Sequence, residues 1–352
     1  MTANLQTEFE LSPGDRVCVT GGGGYLGRHV VAALVRRGFR VVITLRNMVK
    51  STEVRSSILA YLGAEAAPIE FVEADLTRDD GWELALTSCA AVVHTASPFP
   101  DRPPKDARPL IAAACDGTAR VLRIAAQVGV QRVVVTSSIV AVTLAPLSEG
   151  RDVYTEQDWS LPDDPRTDAY ALSKITAERQ AWALADELGL KLTVIHPGLA
   201  FGPPIGDSSG TSVGIIERFL RGRDPVLPNA GFPCVDIRDA ALAHVEALLR
   251  NDAIGQRVLA VDETRKMNEI AKLLARTFPS RSIKTGVAPD MMIKAAAKFD
   301  PTLQNIVPHL GHAPKVDNSR AKQLLGMAFH PIDETIVETG KVLMQRELQA
   351  AG

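Results

Sequence analysis

The sequence of 352 residues predicts an α/β fold, in which a doubly wound parallel sheet is accompanied by a smaller, mostly helical lobe. Two observations indicate this fold. Apolar strands alternate with helical segments up to residue 195, as a parallel sheet with crossover helices requires. The segment 132–136, RVVVT, is almost continuous valine, which is typical of a strand that is covered on both faces.

The first predicted unit, residues 16–46, is a buried strand, a glycine-rich turn, an amphipathic helix and a second strand. The turn carries glycines at the spacing Gly-x-x-Gly-x-x-Gly, namely Gly21, Gly24 and Gly27. We expect the first to permit a tight turn, the second to leave space for a pyrophosphate and the third to let the helix pack on the strand. Free N–H groups and the helix dipole favour an anion there. The unit therefore predicts a Rossmann-type dinucleotide site, with Tyr25 and Leu26 as further contacts.

The other elements follow in chain order. The first helix is followed by Gly38, where we expect a left-handed C-cap. Helices are predicted at 51–62, 81–87, 106–128 and 167–188, and strands at 69–73, 91–95, 132–136 and 191–195. From residue 196 the alternation breaks, because HPGLAFGPPIGDSSG is rich in proline and glycine. Beyond it we expect a helix at 215–221, a strand entering a long helix within 233–249, a strand at 257–261 and mostly helix thereafter.

This pattern divides the chain into two parts. Residues 13–197, rejoined by 235–265, are predicted to form the dinucleotide-binding domain. The substrate-binding lobe is predicted to form from the separated segments 198–234 and 266–350. Residues 1–12 are predicted to form a polar N-terminal tail. Residues 144–165, rich in Pro, Asp and Ser, are expected to form a loop over the site that acts as a lid.

Composition excludes several classes of function. The formal net charge is −2, so no basic field attracts nucleic acid or an anionic membrane. No apolar run reaches membrane-spanning length and the N-terminus lacks a secretion signal, so we expect a cytoplasmic protein with a small-molecule partner, monomeric or homodimeric. The four cysteines stand far apart, which fits reduced, buried thiols. His309 and His312 are flanked by helix-breaking residues, and we expect no metal site.

Three residues carry a pattern suited to carbonyl chemistry. Tyr170 and Lys174 lie four residues apart in a predicted helix and therefore project from one face. A tyrosine can give a proton to a carbonyl oxygen if its pKa is lowered, and the Lys174 ammonium can lower it. Ser138 follows the valine strand at its carboxyl end, where doubly wound folds place their ligand crevice. Thr136 and Ser137 compete for its role, but strand alternation favours Ser138 over Ser137.

The end of the second strand predicts the choice of cofactor. NAD enzymes present an acidic residue there to the ribose 2′-hydroxyl group. This sequence has Arg46 instead, with Lys50 just downstream, and both can bind a 2′-phosphate. The expected cofactor is therefore NADP(H). The alternative is that Arg46 and Lys50 are solvated residues on a loop and bind no phosphate.

Further motifs follow in order: VVHTASPF at 92–99, TSS at 136–138, the Tyr170 to Lys174 pair, VIHPG at 194–198 and VDIRDAALAHV at 235–245. Together they resemble the dihydroflavonol reductase and cinnamoyl-CoA reductase group of the extended short-chain dehydrogenase/reductases, including its microbial aldehyde and ketone reductases. The resemblance covers nearly the whole chain. It implies NADPH-dependent reduction of a carbonyl to an alcohol, with Ser138, Tyr170 and Lys174 as catalytic residues. The microbial pattern is nearer around Tyr170, because the Cys and Trp that flank the tyrosine in cinnamoyl-CoA reductases are absent.

The resemblance also implies roles for other residues. Asp75 and Leu76 would contact adenine. The cofactor would be lined by Thr95, Ala96 and Ser97, with Pro197 and Leu199 against the nicotinamide, and Tyr170 and Lys174 would touch it as well. Candidate walls of an apolar substrate pocket are Phe99, Phe201 and Phe232, for which core packing is the open alternative.

Two other functions stay open at this point. A sugar-nucleotide epimerase or dehydratase would share the fold and keep its cofactor, but Ser138 is followed by Ile139 and Val140 instead of the Asp-Glu pair of such dehydratases. A non-catalytic NADP-sensing protein would bind the dinucleotide without turnover. The presence of Tyr170 and Lys174 with Ser138 argues against it.

Overall fold

The computed structural model of the chain describes residues 9–98, 106–222 and 226–351. The strands of this part are β1 (Arg16–Thr20), β2 (Arg40–Leu45), β3 (Ile69–Glu73), β4 (Ala91–His94), β5 (Arg132–Thr136), β6 (Val153–Tyr154), β7 (Lys191–Pro197), β8 (Leu199–Phe201), β9 (Gly231–Asp236), β10 (Arg257–Ala260), β11 (Glu263–Lys266) and β12 (Lys315–Val316). The α-helices are α1 (Tyr25–Arg36), α2 (Ser51–Leu62), α3 (Trp82–Leu86), α4 (Arg108–Gln127), α5 (Ala169–Leu188), α6 (Thr211–Leu220), α7 (Ile237–Leu249), α8 (Met267–Thr277), α9 (Asp290–Ala296), α10 (Pro301–Ile306), α11 (Ser319–Leu325) and α12 (Ile332–Ala351).

Seven strands form a parallel sheet in the order β10-β7-β5-β4-β1-β2-β3. The chain moves outward from β1 to β3 and then returns to the other side of β1 through β4. Val19 consequently lies beside Ile43 of β2 and beside Val93 of β4. The strand order reverses at β1, so the carboxyl ends of β1 and β4 flank the crevice in which doubly wound folds bind ligands. The predicted fold class is confirmed.

Helices cover both faces of this sheet. Within β1, Val17 and Val19 belong to an apolar cluster with residues of α1, α2 and α7, whereas Cys18 belongs to a second cluster with residues of α3, α4 and α5. Side chains alternate along a strand, so neighbouring residues contribute to opposite faces. This two-sided burial explains the valine run in β5. The four cysteines are buried and free, as predicted.

The first helix ends as the sequence indicates. The last helical residue of α1 is Arg36, and Gly38 follows with a φ of 83°. Its N–H group donates to the carbonyl oxygen of Val35 at 2.9 Å. A left-handed residue at this position satisfies carbonyl groups that the helix leaves unpaired, and it turns the chain directly into β2.

A third apolar cluster lies outside the central sheet. It combines residues of β8, α6 and β9 with residues of α8 and α12, including Phe201, Ile216 and Leu274. A small sheet in the order β11-β9-β8 accompanies it. This distribution supports the proposed lobe from 198–234 and 266–350, with one difference. Ala321 and Leu325 of α11 pack in the first cluster of the central sheet, so this helix returns to the dinucleotide-binding domain.

Strand pairing and hydrogen bonds anchor the segment 144–165 to the rest of the fold. Its strand β6 pairs in parallel with β12. The hydroxyl group of Tyr154 donates to the carbonyl oxygen of Ala145 at 2.5 Å, and the hydroxyl group of Ser160 donates to that of Val140 at 2.7 Å. These contacts tie the segment to the end of β5 and to the C-terminal part of the chain, and its action as a lid stays a prediction.

Two further findings concern the N-terminal segment and the length and polarity of the helices. Phe9 and Leu11 are partly buried against the first apolar cluster, so the polar tail gives way to packed residues before position 12. None of the helices in the described ranges is long and apolar enough to cross a membrane.

Candidate active site

The glycine turn between β1 and α1 brings several backbones into close contact. Gly21 has a φ of 65°, and a Cβ atom there would lie 2.9 Å from the Cα atom of Ala96. A Cβ atom on Gly27 would lie 2.3 Å from the carbonyl oxygen of Gly21. Gly24 has extended backbone, and a Cβ atom would meet only that same oxygen, at 3.3 Å. The fold itself therefore requires Gly21 and Gly27, whereas the single close contact at Gly24 would need a shift of only a few tenths of an ångström.

Sequence analysis missed two other glycines of the turn. A Cβ atom on Gly22 would lie 2.9 Å from the Cγ2 atom of Ile43, and one on Gly23 would lie 2.6 Å from the Cδ2 atom of Leu45. Both contacts are with β2, so the turn crosses the end of that strand without room for side chains. The unbroken run of four glycines at 21–24 is the signal that could have shown this.

The start of α1 offers donors for an anion. The helix begins at Tyr25, so the N–H groups of Tyr25, Leu26 and Gly27 lie in its first turn and have no partners within the helix. The Tyr25 side chain turns away, because its hydroxyl group donates to the carbonyl oxygen of Gly202 at 2.8 Å. Tyr25 can therefore contact a phosphate through its backbone, and its ring packs against the segment after β8.

An ion pair between buried Arg28 and partly exposed Glu53 supports the turn. Arg28 donates through Nε to the carbonyl oxygen of Gly23 at 2.9 Å, and its two terminal nitrogens donate to the Glu53 carboxylate at 2.7 and 2.6 Å. The hydrogen bond from Arg28 lowers the pKa of Glu53 to about 2. Sequence analysis did not identify this bidentate pair, since its members lie on different helices.

The end of β2 carries the two basic residues predicted for cofactor choice. Arg46 and Lys50 are exposed, and neither makes a hydrogen bond or an ion pair with any residue that the structure describes. Asp75 lies close enough to interact with Arg46. Hydrogen bonds from Thr77 lower the pKa of Asp75, and the charge of Arg46 lowers it further. Leu76, the other predicted adenine contact, packs over α4.

The segment after β4 is tied to the end of β1. The hydroxyl group of Thr95 donates to the carbonyl oxygen of Thr20 at 2.7 Å, and the N–H group of Ala96 donates to the Thr20 hydroxyl at 3.1 Å. That hydroxyl also lies 2.8 Å from Nδ1 of His94. Burial, with a contribution from Lys174, lowers the pKa of His94 to about 3, so the imidazole is neutral. These bonds hold Ala96 against Gly21.

The predicted catalytic residues converge at the end of β5. Ser138 begins a short 3-10 turn, and its Oγ atom accepts from the N–H group of Val140 at 3.4 Å. Ser138 interacts with the side chain of Tyr170 and acts to lower the pKa of the phenol. The Nζ atom of Lys174 lies 5.9 Å from the centroid of the Tyr170 ring and donates to the carbonyl oxygen of Thr136 at 3.3 Å. The hydroxyl groups of Ser138 and Tyr170 and the ammonium group of Lys174 therefore lie together on the same side of the sheet.

The electrostatics of this group differ from our expectation. Burial raises the pKa of Tyr170 to about 12, although the interaction with Ser138 acts in the opposite direction. Burial likewise lowers the pKa of Lys174 to about 8, and the charge of Glu178 opposes this shift. The prediction that Lys174 lowers the pKa of Tyr170 is not met in the structure, because desolvation of the phenol dominates.

The two competing hydroxyl groups at the end of β5 have other partners. The Oγ1 atom of Thr136 lies 2.7 Å from Nε2 of His244. The hydroxyl group of Ser137 donates to the Oε2 atom of Glu178 at 2.5 Å. Ser138 alone of the three pairs with Tyr170, in agreement with the alternation of side chains along a strand.

A small cavity lies at the carboxyl ends of β4 and β5. Its lining includes Ala96 and Ser97, which follow β4, Thr136 of β5 and Lys174 of α5. The Lys174 ammonium is thus within the same space as the segment predicted to line the cofactor.

The predicted nicotinamide and substrate residues separate into two groups. Pro197 ends β7 in the central sheet and Leu199 begins β8, so both lie where the chain leaves the sheet for the lobe. Phe201 is 0% exposed and belongs to the core of the lobe, so its prediction as a pocket wall is wrong. Phe232 is partly buried, with its ring edge-on to His309 at a centroid distance of 5.5 Å. Phe99 lies outside the described residues.

The histidines near the C-terminus show no sign of a metal centre. His309 ends a 3-10 turn, Val307–His309, and Gly311 has a φ of 79°. In the described ranges no group of three or more His, Cys, Asp or Glu side chains is placed to hold a metal ion.

The fold and this geometry define a class of protein: a dinucleotide-binding α/β enzyme with a Ser, Tyr and Lys set at the carboxyl ends of its strands. The chain belongs to the NAD dependent epimerase/dehydratase family, whose profile matches residues 17–261. The predicted membership of the extended short-chain dehydrogenase/reductases is thereby confirmed, together with the predicted class of NAD(P)-dependent oxidoreductase.

Individual relatives agree with this assignment. Cinnamoyl-CoA reductase 1 of Arabidopsis thaliana is 32% identical over 335 residues, which cover 95% of this chain and 90% of the plant protein. The yeast methylglyoxal/isovaleraldehyde reductase Gre2, solved as a complex with NADPH, superimposes with a TM-score of 0.77 at 25% identity, covering 94% of this chain and 99% of Gre2. A UDP-glucuronic acid 4-epimerase from Bacillus cereus shares the fold, with a TM-score of 0.73 at 16% identity over 94% of this chain and 99% of the epimerase.

Proposed function

We propose that this protein is an NADPH-dependent reductase that converts an aldehyde or ketone carbonyl into an alcohol. The observation that carries the proposal is the convergence of three side chains: Ser138 interacts with Tyr170, and the Lys174 ammonium lies 5.9 Å from the tyrosine ring. This set lies at the carboxyl ends of the parallel strands, next to the predicted cofactor crevice. Cinnamoyl-CoA reductase and Gre2, which resemble the chain over nearly its whole length, are reductases by name.

The residues present fit NADP(H). The glycine turn leads into α1, whose first N–H groups have no partners within the helix and can bind a pyrophosphate. Arg46 and Lys50 are exposed and make no hydrogen bond or ion pair with the described residues, so both are available to a 2′-phosphate. When bound, the nicotinamide supplies the hydride.

The side chains divide the remaining work. Tyr170 stays protonated at neutral pH, since burial raises its pKa to about 12, and it can donate its proton to the carbonyl oxygen. Ser138 holds the same oxygen through its hydroxyl group. Lys174, whose pKa of about 8 leaves it mostly charged at pH 7, stabilises the tyrosinate that remains after transfer.

The test is turnover of a carbonyl panel, followed by the loss of NADPH absorbance. The panel contains aryl aldehydes, 2-oxo aldehydes, diketones, dihydroflavonols and cinnamoyl-CoA. We expect oxidation of NADPH in proportion to alcohol formed with at least one of the free carbonyl classes. No turnover with any of them, in a folded protein that binds NADPH, would refute the proposal and favour a sensing protein. Turnover of cinnamoyl-CoA alone would assign the chain to the thioester branch.

An epimerase remains the second candidate within the same family. Its specific support is the shared fold of the UDP-glucuronic acid 4-epimerase. Ile139, which follows Ser138, is an apolar residue buried in a small cluster, so no acidic pair follows the catalytic hydroxyl. Incubation with UDP-sugars and NAD, analysed by chromatography for epimer formation, separates the two functions, because an epimerase consumes no net cofactor.

A further inference from the structure

We infer that Glu178 is a positioning residue that holds Ser138, Lys174 and Pro197 in register from the buried side of the site. The inference rests on the proposed function of these residues. Glu178 lies one helical turn after Lys174 on α5 and is 2% exposed. A carboxylate so deeply buried is costly unless its oxygens are fully paired.

Each partner of Glu178 sits next to a predicted site residue. Its Oε2 atom accepts from the hydroxyl group of Ser137 at 2.5 Å, and Ser137 immediately precedes Ser138. The same oxygen lies 2.8 Å from Nε2 of His196, and His196 immediately precedes Pro197. One carboxylate thus joins the ends of β5 and β7 to the helix that carries Lys174.

The positive partner of Glu178 is equally fixed. Arg257 of β10 donates through Nε to the Oε1 atom of Glu178 at 2.7 Å, and its guanidinium carbon lies 3.8 Å from the centroid of the Trp159 ring. Another of its nitrogens donates to the carbonyl oxygens of Glu156 and Asp158 at 2.7 and 2.6 Å. These contacts fix the position of the Arg257 guanidinium. Its positive charge neutralises the Glu178 carboxylate, and its fixed position in turn fixes that of the carboxylate.

His196 completes the group on the other side of the carboxylate. Its Nε2 atom is shared between the Glu178 carboxylate at 2.8 Å and a nitrogen of Arg257 at 3.2 Å, while its buried Nδ1 atom has no partner among the described residues. A proton on Nε2 satisfies the shorter contact with the carboxylate and leaves Nδ1 as a bare acceptor. We assign that tautomer, because the other would bury an unpaired N–H group and turn a lone pair toward the carboxylate.

The charge of Glu178 acts on Lys174 as well. Burial alone would raise the pKa of Glu178, but His196, Arg257 and Ser137 outweigh it and lower the pKa to about 2. The carboxylate is therefore ionised at every working pH and favours the charged form of Lys174. Other titratable groups near Lys174 include Tyr170 on α5, whose ring centroid lies 5.9 Å from Nζ. Two more are the histidines His94 on β4 and His244 on α7, whose pKa values are lowered to about 3 and 4, mainly by burial. Both stay neutral when Lys174 titrates.

The first test is Glu178→Gln, which keeps the shape and removes the charge. We expect kcat to fall by about 100-fold, as small misplacements of catalytic groups cause, with the KM for NADPH changed by less than about threefold. The loss of kcat on the alkaline side should also begin about one pH unit lower, because Lys174 loses a neighbouring negative charge. The matched control is Asp239→Asn. Asp239 is a buried carboxylate on α7, and its Oδ1 atom lies 2.7 Å from Nδ1 of His330. This control variant should lower Tm without moving kcat or the pH profile.

The second variant, Ser137→Ala, separates position from charge. It removes the 2.5 Å hydrogen bond and leaves every charge in place, so kcat should fall by about 10-fold while the pH profile stays where it is. This variant also decides the matter if Glu178→Gln does not fold. Wild-type kcat in either folded variant, within about twofold, would overturn the inference.

A measurement without turnover keeps this inference separate from the proposed function. Carbon-13 NMR of protein labelled at lysine Cε follows the titration of Lys174, with Lys174→Arg to assign the signal. We expect the midpoint to drop by about one pH unit in Glu178→Gln. An unchanged midpoint would refute the coupling. Failure of the wild-type protein to reduce any carbonyl would instead refute the proposed function and leave the titration as the test.

Discussion

Replacing Gly24 and Gly27 by alanine should affect different properties, although both belong to one motif. We expect Gly27→Ala to lower stability and Gly24→Ala to weaken NADPH binding. On Gly27 the new methyl group would lie 2.3 Å from the carbonyl oxygen of Gly21 and 2.7 Å from the Cα atom of Gly22. Both are backbone atoms that cannot rotate away, so α1 must shift. On Gly24 the methyl group would meet only the Gly21 carbonyl oxygen at 3.3 Å, in a backbone conformation that alanine adopts freely.

The magnitudes follow from these contacts. Overpacking of a rigid site costs about 1–3 kcal/mol, so Gly27→Ala should lower Tm by several degrees in thermal unfolding followed by circular dichroism. Gly24→Ala should leave Tm within about one degree of wild type and weaken NADPH binding at least about 10-fold in calorimetric titration, because the methyl group enters the space proposed for the pyrophosphate.

Gly214→Ala is the control for a general effect of glycine replacement. Gly214 lies in α6, and a Cβ atom there would meet nothing within 4 Å. Alanine is the better helix former by about 1 kcal/mol, so this variant should be slightly more stable and bind NADPH normally. The reasoning fails if Gly27→Ala is as stable as wild type, or if Gly24→Ala binds NADPH with full affinity.

Three other predictions concern charge and proton transfer. Tyr170→Phe should lower kcat by about 100- to 10,000-fold with NADPH affinity nearly intact, and retention of a tenth of the activity would contradict its role as the acid. Arg46→Ala should weaken NADPH about 10- to 150-fold in paired KM measurements while barely changing NADH, and equal losses would mean a structural role. Glu53 has a pKa lowered to about 2 from the usual 4.5, so its stabilising effect is present above pH 4.5 and is lost as pH falls toward 2. Glu53→Gln should flatten the dependence of Tm on pH in that window, and an unchanged dependence would show that the pair with Arg28 adds no stability.

The central sheet could be predicted from sequence because most of its strands are short, largely apolar runs between helical segments. The short strands could not. β6 and β12 have two residues each and pair across about 160 positions of sequence, so neither has a periodic pattern of its own. Phe201 shows the same limit in another form. An aromatic residue among prolines and glycines suits a pocket wall as well as a core, and only packing against α6 and α8 decides between them.

The predicted site was limited in a similar way. Ser138, Tyr170 and Lys174 could be placed because strand alternation and helical spacing are local rules. The groups that support them are not local: Glu178 and Arg257 lie 79 residues apart, and Arg28 and Glu53 lie on different helices. One signal was present in the sequence. Arg257 opens an otherwise apolar strand, RVLA, and a charged residue in such a strand requires a buried partner.

The raised pKa of Tyr170 bears on the direction of the reaction. A tyrosine with a pKa of about 12 is a proton donor at neutral pH, and almost none of it is available as a base. Reduction needs the donor, whereas oxidation of an alcohol needs the base. Lys174 titrates about 4 pH units lower, so the pair offers a protonated phenol and a cation together below pH 8. In that range the phenol holds the proton that the proposed reduction requires, and the cation lies beside it.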